Sequence, residues 1–185
     1  MTNRQLDAKL VLCHVPTKNS AAARKFYDTL LGGDDFARSL HDRIESYYRP
    51  VSEDGLTLSV VARQNDREPI TCWFAVDNLD ETVRRLEAAG GKVVLRSAPM
   101  PVSATPAAKK FYQDALQSLG EQPTDSVGQF ATMLDPDENY FGLMQLEGPT
   151  KTHFRADPTD RTLSAEQVAR HDRWRQQGEP LMKSS

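Results

Sequence analysis

Residues 70–95, ITCWFAVDNLDETVRRLEAAGGKVVL, decide the fold of this chain, because the hydrophobic period changes within them and then changes back. Apolar side chains recur with a spacing of two over 70–76, as in a half-buried strand. From 79 to 89 the spacing is three to four, as in an amphipathic helix, and a second apolar run follows Gly90-Gly91. Asp77-Asn78 can cap that helix and the glycines can end it. The stretch predicts a strand, a helix and a second strand.

The same order occurs a second time, in residues 9–33, KLVLCHVPTKNSAAARKFYDTLLGG. After each helix come stretches with β-like alternation, and a polar turn precedes the last of them. In the first half these are Asp35–Leu40, Arg43–Pro50 and Leu56–Ala62, with the turn at Glu53-Asp54-Gly55; in the second they are Lys92–Arg96, Gly128–Leu134 and Tyr140–Leu146, with the turn DPDEN at 135–139. We therefore predict an α+β fold of two tandem β-α-β-β-β modules, at 9–62 and 70–147.

The composition fits one domain without a membrane span. The chain has 185 residues, 38% of them hydrophobic, and no apolar run approaches the ~20 residues that cross a bilayer. The 23 basic and 26 acidic side chains are mixed along the chain, so the net charge of −3 offers no basic surface to a nucleic acid. The first residues, MTNRQLDAKL, contain no apolar signal region. We expect a cytoplasmic protein with neither a nucleic-acid nor a membrane partner.

Three segments resemble the vicinal oxygen chelate superfamily, which contains glyoxalase I, the extradiol dioxygenases and the bleomycin-resistance proteins. They are AAARKFYDTLLGG at 21–33, similar to the family's A-x-x-FY-x-x-x-LG helix; WFAVDNLDETVRRLEAAGGKV at 73–93; and GQFATMLDPDENYFGLMQ at 128–145, similar to the family's G-x-x-DP-x-GN-x-x-x-L ending. The resemblance spans Lys9 to Leu146. It implies that the two modules form one cupped mixed sheet, with chemistry on its concave face.

Two segments fall outside this pattern. Residues 1–148 would form the glyoxalase-like domain, but they include an inserted helix at about 104–120 where a typical member has a short loop. The insert is either a lid over the cup or a brace against a partner subunit. Residues 149–185 would form a C-terminal extension with one short helix, which starts at a Ser164–Gln167 capping box and packs through Trp174 onto either the body of the domain or a dimer mate.

Members of this family hold a divalent ion with His or Glu side chains from the first and last strands of each module. Alignment of the three segments places Leu12, Thr71 and Gly142 at such positions, and the last strand of module one, LTLSVVA at 56–62, has no His, Asp, Glu or Cys. Leu and Gly have no side-chain donor, and one hydroxyl does not replace the roughly three or four ligands that a transition metal needs. The resemblance therefore implies no metal and no cofactor at the usual position.

His14 is the candidate catalytic side chain, and it leaves two enzymatic alternatives open. It has the strand parity of the vacant ligand positions, so together with Glu45 or another carboxylate it could form a displaced metal site. Alone, it could bind an anion or act as a general base. The structural alternative is a histidine satisfied by a hydrogen bond within the sheet. The other histidines lie at a turn, as does His41, or beyond the core, as do His153 and His171.

Strand parity also predicts the lining of the cup. Trp73, Tyr140 and Met144 fall on the side of the vacant ligand positions, and Tyr47 or Tyr48, whichever faces inward, adds a ring. Such a lining suits a planar or amphipathic small molecule, although Tyr140 and Met144 could equally pack the centre of the sheet. The candidate ligand-binding residues are His14, Tyr47, Thr71, Trp73, Tyr140 and Met144.

The two cysteines occupy the same place in the first strand of each module. Cys13 and Cys72 have the parity opposite to Leu12 and Thr71, so we expect both on the helix-facing side of the sheet as small hydrophobic side chains.

The function predicted from the sequence is metal-free binding of a small aromatic or amphipathic molecule in the cup, as in the bleomycin-resistance branch. The alternative is an enzyme of the same superfamily. It would be a metal-dependent lyase, isomerase or dioxygenase with a displaced site, or an acid–base catalyst that uses His14. Family resemblance also implies a homodimer, for which exposed sheet edges give a physical reason.

Overall fold

The structure is a computed structural model of the chain. It describes residues 4–38, 46–52, 55–102, 106–118, 120, 122, 124–157, 161–170 and 172–173, without the side chains at 107, 108 and 111. Several residues named above lie outside the described ones: His41, Glu45, Glu53, Asp54, His171 and Trp174.

The elements follow the predicted order. They are β1 (Arg4–Gln5), β2 (Ala8–Thr17), α1 (Ser20–Leu31), β3 (Ala37–Arg38), β4 (Ser46–Pro50), β5 (Thr57–Ala62), β6 (Thr71–Val76), α2 (Leu79–Ala88), β7 (Lys92–Pro101), α3 (Pro106–Ser118), β8 (Ser126–Leu134), β9 (Tyr140–Leu146), α4 (Gly148–His153) and β10 (Thr162–Leu163). Residues 165–170 form a further helix. Among the described residues, no helix is both long enough and apolar enough to span a bilayer.

The large sheet shows the predicted duplication directly. Its strand order is β3-β4-β5-β2-β6-β9-β8-β7, so each module contributes four adjacent strands in the same arrangement. The first and last strands of each module, β2 with β5 and β6 with β9, are parallel. The two modules meet where β2 and β6 pair antiparallel at the centre of the sheet. The predicted tandem of β-α-β-β-β modules in one mixed sheet is therefore confirmed.

Local signals account for the helix boundaries. Asn78 caps α2 by accepting a hydrogen bond from the backbone N–H of Glu81 at 2.9 Å, as the sequence predicts. Asn19 caps α1 in the same way. Gly90 follows α2 with φ of 97°, in the left-handed region that a glycine adopts without strain.

The edge strand β7 is longer and less regular than predicted. It continues to Pro101 rather than ending at Arg96, and its pairing with β8 shifts register at three places. Pro99 and Pro101 both lie in the paired segment and have no N–H to donate. The hydrogen-bonding pattern along this edge is consequently interrupted.

Both faces of the sheet are packed. On the convex face, α2 covers a buried cluster of Val76, Leu79, Val83, Ala131, Met133 and Leu143. On the concave face, which we call the cup, a second cluster contains Val11, Leu12, Ala75, Met144, Leu146 and Ala156. Because Ala156 belongs to the C-terminal extension, that extension forms part of the cup's core.

The C-terminal extension contains more regular structure than the single short helix predicted for it. Its described residues include α4, the strand β10 and the helix at 165–170. The predicted capping box begins that last helix, because the Ser164 Oγ accepts from the Gln167 N–H and the Gln167 Oε1 accepts from the Ser164 N–H. β10 pairs with β1 in a small second sheet. The extension is thus tied to the start of the chain.

The inserted helix α3 lies beside strand ends. Tyr112 and Leu116 pack with Val102, which follows β7, and with Val127 of β8. The Tyr112 hydroxyl lies 3.4 Å from the carbonyl of Ser126 and 3.5 Å from that of Glu147, and it donates to these strand-end carbonyls. α3 also contacts α4. The insert is therefore packed against the domain at the ends of β8 and β9.

Candidate functional site

The pairing of β2 with β6 defines an approximate two-fold relation between the modules. Three pairs face each other across these strands: Leu12 with Trp73, Cys13 with Cys72, and His14 with Thr71. A two-fold rotation about an axis midway between the two cysteines exchanges the strands, so Leu12 becomes equivalent to Thr71. By the same rotation, His14 becomes equivalent to Trp73.

The last strands of the modules extend this relation. Ser59 of β5 pairs with His14, and Gly142 of β9 pairs with Trp73. Ser59 and Gly142 are therefore equivalent, and they occupy the place where the family resemblance implies a metal-binding carboxylate. Ser59 is buried and has only a hydroxyl.

The residues at these positions do not fit a divalent transition metal. They comprise Leu12, two hydroxyl side chains at Ser59 and Thr71, and Gly142, whereas such an ion needs imidazole, thiolate or carboxylate ligands. Within the part of the chain that the structure describes, no three His, Cys, Asp or Glu side chains are grouped closely enough to hold an ion. Glu45, the proposed partner of His14 in a displaced site, is outside that part.

Trp73 occupies the space that a ligand at position 142 would need. A Cβ placed on Gly142 would overlap the six-membered ring of Trp73. The indole also packs against Phe130, with 5.9 Å between ring centroids, and against the cluster that includes Met144. The Trp73 Nε1 is buried and has no hydrogen-bond partner among the described residues. In module two, the metal position is thus filled by an aromatic ring.

The module-one side of the cup carries a row of polar side chains. Its members come one each from β4, β5, β2 and β6 and are paired in succession: Tyr48, Ser59, His14 and Thr71. We call these four residues the polar row. Ser59 and Thr71 are buried, and Tyr48 and His14 are half-buried. The Thr71 hydroxyl donates to the carbonyl of Pro69 at 3.2 Å, which leaves its oxygen able to accept.

Burial keeps His14 uncharged. Desolvation lowers the pKa of His14 from 6.5 to about 4, and the negative charge of Glu68 opposes this only partly. The ring packs edge-on against Trp73, with 5.7 Å between centroids. A neutral imidazole offers one donor and one acceptor, so His14 is suited to hydrogen bonding with an uncharged group at neutral pH.

The C-terminal extension closes one side of the cup. Phe154 packs against the concave cluster, and the ring of His153 lies 6.1 Å from that of Tyr48. Gly55 allows this close approach, because a Cβ there would lie 2.8 Å from the carbonyl oxygen of Phe154. His153, which the sequence placed beyond the core, therefore contacts a member of the polar row.

The polar row does not include three of the sequence-predicted candidates, Tyr47, Tyr140 and Met144. Tyr47 faces the helices rather than the cup, since the Arg24 guanidinium lies over its ring at 5.1 Å and its neighbour Tyr48 takes the inward position. Tyr140, at the start of β9, borders a groove on the convex face. Met144 faces the cup as predicted but is only 5% exposed within the packed cluster. It therefore packs the centre of the sheet, which was the second role that the sequence allowed for it.

The remaining candidates lie together. His14, Thr71 and Trp73 are neighbours on the concave face, as their parity predicts. Sequence reasoning missed Ser59 as a member of the site, although its parity in LTLSVVA carried the signal. It also missed Phe154, because no local pattern shows where an extension docks.

Comparisons with known proteins identify the fold. No family model matches the chain, and no curated protein matches it. Among solved structures, methylmalonyl-CoA epimerase from Mycobacterium tuberculosis aligns with a TM-score of 0.51 and 15% identity over 77% of this chain and 91% of that one. The hypothetical protein BH1468 from Bacillus halodurans C-125 gives a TM-score of 0.49 and 10% identity over 77% and 96%.

The 2,3-dioxygenase LapB from Pseudomonas sp. KL28 aligns with a TM-score of 0.42 and 15% identity over 76% of this chain and 43% of that one. At identities this low, a structural likeness shows the fold alone. The chain has the vicinal oxygen chelate fold, as its three sequence segments predict.

Proposed function

We propose that this chain is a metal-independent binding protein, like the bleomycin-resistance branch of the superfamily, and that it holds a small uncharged aromatic or amphipathic molecule against the polar row. The observation that carries this proposal is the row itself. Four hydrogen-bonding side chains are aligned across adjacent strands on the concave face, and a tryptophan ring lies beside them. Rings for stacking together with a few converging polar groups are typical of small-molecule sites.

The donor set supports binding without a metal. Where relatives would place carboxylates or imidazoles, this chain has a hydrocarbon, two hydroxyls and a glycine covered by Trp73. Hydroxyl groups alone bind divalent ions weakly, but they are effective hydrogen-bonding partners for a ligand's carbonyl, hydroxyl or amide groups.

The charge of the site indicates the class of ligand. The polar row has no Lys or Arg, its imidazole is neutral, and the charge that acts on His14 is the carboxylate of Glu68. An anionic ligand would find no counter-ion in this row. An uncharged molecule with acceptor groups and an aromatic body fits best.

The acid–base alternative receives less support from the same residues. A general base works best with a pKa near the operating pH, and burial holds the pKa of His14 at about 4. At neutral pH such an imidazole is a weak base. A hydrogen-bonding role for His14 follows more naturally.

The test uses two fluorescent probes, the neutral dye Nile red and the anionic dye 8-anilinonaphthalene-1-sulfonate. We expect Nile red to bind at one site with unchanged affinity after treatment with EDTA, and the anionic dye to bind at least about tenfold more weakly. Metal analysis of protein purified without chelator should find no stoichiometric ion. A stoichiometric ion whose removal abolishes dye binding would overturn the proposal.

Adjacent tyrosines provide a matched pair of variants. Tyr48→Phe removes a hydroxyl from the polar row and should weaken Nile red binding about two- to tenfold. Tyr47→Phe removes the same group on the helix side and should leave binding within about twofold. His14→Phe keeps a ring but removes both nitrogens, so it should weaken binding at least as much as Tyr48→Phe. Equal effects of the two tyrosine variants would place the dye elsewhere.

We also propose that the protein is a homodimer, as family resemblance implies. Multi-angle light scattering at several concentrations measures the mass directly, and a chain mass of 20.7 kDa at all of them would contradict this.

A further inference from the structure

The convex face holds a pair of thiols that neither the fold nor the proposed binding function requires. Cys13 and Cys72 are directly opposite each other in the antiparallel pairing of β2 with β6. Facing residues in antiparallel strands have Cα atoms about 4.5 to 5.5 Å apart, and disulfides join Cα atoms about 4.4 to 6.8 Å apart. Facing side chains project from the same side of a sheet, so the two cysteine side chains are direct neighbours.

Both cysteines are partly exposed, and Cys72 borders a groove. Each cysteine is half-buried and reduced. Cys72 also lines a groove of about 690 Å³ on the convex face, which we call the outer groove, together with Phe74, Leu86 and Phe141. A small oxidant can therefore reach Cys72 without unfolding of the sheet.

We propose that Cys13 and Cys72 form an oxidation site, in which a peroxide converts the two thiols into a reversible cross-strand disulfide that links the two modules. The Cys72 thiolate attacks one peroxide oxygen; the O–O bond breaks, the other oxygen leaves as water, and Cys72 becomes a sulfenic acid. The Cys13 sulfur then attacks the Cys72 sulfur, the S–S bond forms, the S–O bond breaks and a second water leaves. Two thiols and one hydrogen peroxide yield one disulfide and two waters, and two electrons pass from sulfur to oxygen.

The order of the two steps follows from the surroundings of each thiol. Burial raises the pKa of Cys13, and the adjoining Cys72 thiol raises it further through charge repulsion and a hydrogen bond. Cys13 is consequently the poorer first nucleophile. Cys72, at the wall of the outer groove, reacts first, and Cys13 resolves the sulfenic acid.

Sequence reasoning assigned both cysteines to the helix-facing side as small hydrophobic side chains. The assigned side is correct, since Cys72 lines the outer groove and Cys13 faces it across the strands. Strand parity shows on which face of the sheet a side chain lies, but it does not show which residue of the neighbouring strand is opposite. Only the observed pairing brings two residues that are far apart in sequence into contact.

The experiment treats the reduced full-length protein with hydrogen peroxide and maps its peptides by mass spectrometry without reduction. We expect a peptide pair joined through Cys13 and Cys72, loss of both free thiols, and recovery of both after treatment with dithiothreitol. The particle mass measured by light scattering should not change. Two unmodified thiols, a stable sulfinic acid on Cys72 without a crosslink, or crosslinks between chains would each overturn the proposal.

Single variants test the order of reaction. In Cys13→Ser the sulfenic acid on Cys72 has no resolving partner, so labelling by dimedone should rise at least about fivefold over the wild type. In Cys72→Ser, Cys13 should be labelled at least about fivefold more slowly than Cys72 is in Cys13→Ser, because burial raises the pKa of the Cys13 thiol. Equal labelling rates would overturn the assigned order. If a serine variant fails to fold, the peptide map of the wild type still decides whether the disulfide forms.

Discussion

Gly142 is required because Trp73 lies against it. A Cβ at this position would overlap the indole, which also packs against Phe130 and the buried concave cluster and so has little room to move. We expect Gly142→Ala to lower the free energy of unfolding by about 1–3 kcal/mol, as overpacking in a core does. Urea denaturation measures the change.

The control for this prediction is the same substitution in a Trp73→Ala background. With the indole gone, Gly142→Ala should cost less than about 1 kcal/mol, so the two changes should show a clear coupling energy. An equal cost in both backgrounds would mean that the backbone at 142, and not Trp73, requires the glycine.

His14 should make stability depend on pH. Its pKa is about 4 in the folded protein and near 6.5 in the unfolded chain, so the unfolded state binds the proton first as pH falls. The stabilising contribution is complete above pH 6.5 and is lost progressively toward pH 4. Between about pH 7.5 and about pH 5 we expect a loss on the order of 2 kcal/mol.

Urea denaturation at both pH values checks this, with His14→Gln as the comparison. The variant should lose about 2 kcal/mol less than the wild type over the same interval. Identical losses would show that His14 is not the group that titrates.

At the residue scale, strand parity was sufficient to assign His14, Thr71 and Trp73 to the concave face. It failed for Tyr47, because two adjacent tyrosines offer both faces and only pairing with β5 shows which one is inward. It could not predict that the indole of Trp73 would cover Gly142. Such placement depends on rotamers and on packing from distant strands.

Among the elements, the C-terminal extension is the one whose packing into the core is hardest to predict from the sequence. Phe154 packs into the cup's core, whereas Phe26 on α1 is 63% exposed. Phe154→Ala should therefore destabilise the protein by about 2–4 kcal/mol, while Phe26→Ala should change stability by less than about 1 kcal/mol.

Chemical denaturation of both variants makes this a matched comparison of two phenylalanines. Hydrogen exchange adds a second measurement, since Phe154→Ala should speed exchange in α4 more than in α1. If Phe26→Ala were the more damaging change, the extension would not be part of the folded core.

Helix boundaries and turns were predictable because their signals are local. The Asn78 cap, the Ser164–Gln167 capping box and the polar turn at 135–139 all depend on residues within four positions of one another. The docking of the extension depends instead on the buried Arg161, which donates to the carbonyl of Asp7 at 2.9 Å and forms an ion pair with Asp77. No local pattern reveals partners so distant in sequence.

At the scale of the whole molecule, the two modules share one continuous sheet through β2 and β6. Neither half can unfold without exposing the strand of the other. We expect a single cooperative transition in which far-UV and near-UV circular dichroism change together. Two resolved transitions would indicate modules that are stable separately.

The duplication was readable in the sequence, because each module repeats the same order of period-two and period-3.6 segments. The repeat predicts two tandem modules, and the family resemblance implies that they share one sheet. The sequence showed less clearly which positions of the two modules are equivalent and carry different side chains. Equivalent positions carry an imidazole in one module and an indole in the other, and only the three-dimensional pairing shows that they correspond.

The irregular course of β7 limits how copies of this protein can associate. A neighbouring chain that tried to add a strand there would meet two prolines without donors and three breaks in alignment, so the sheet would not continue across the boundary. At this edge, self-association must therefore rely on side-chain contacts rather than on strand pairing. The same interruptions disfavour edge-to-edge stacking through β7, the kind of stacking that leads to fibrils.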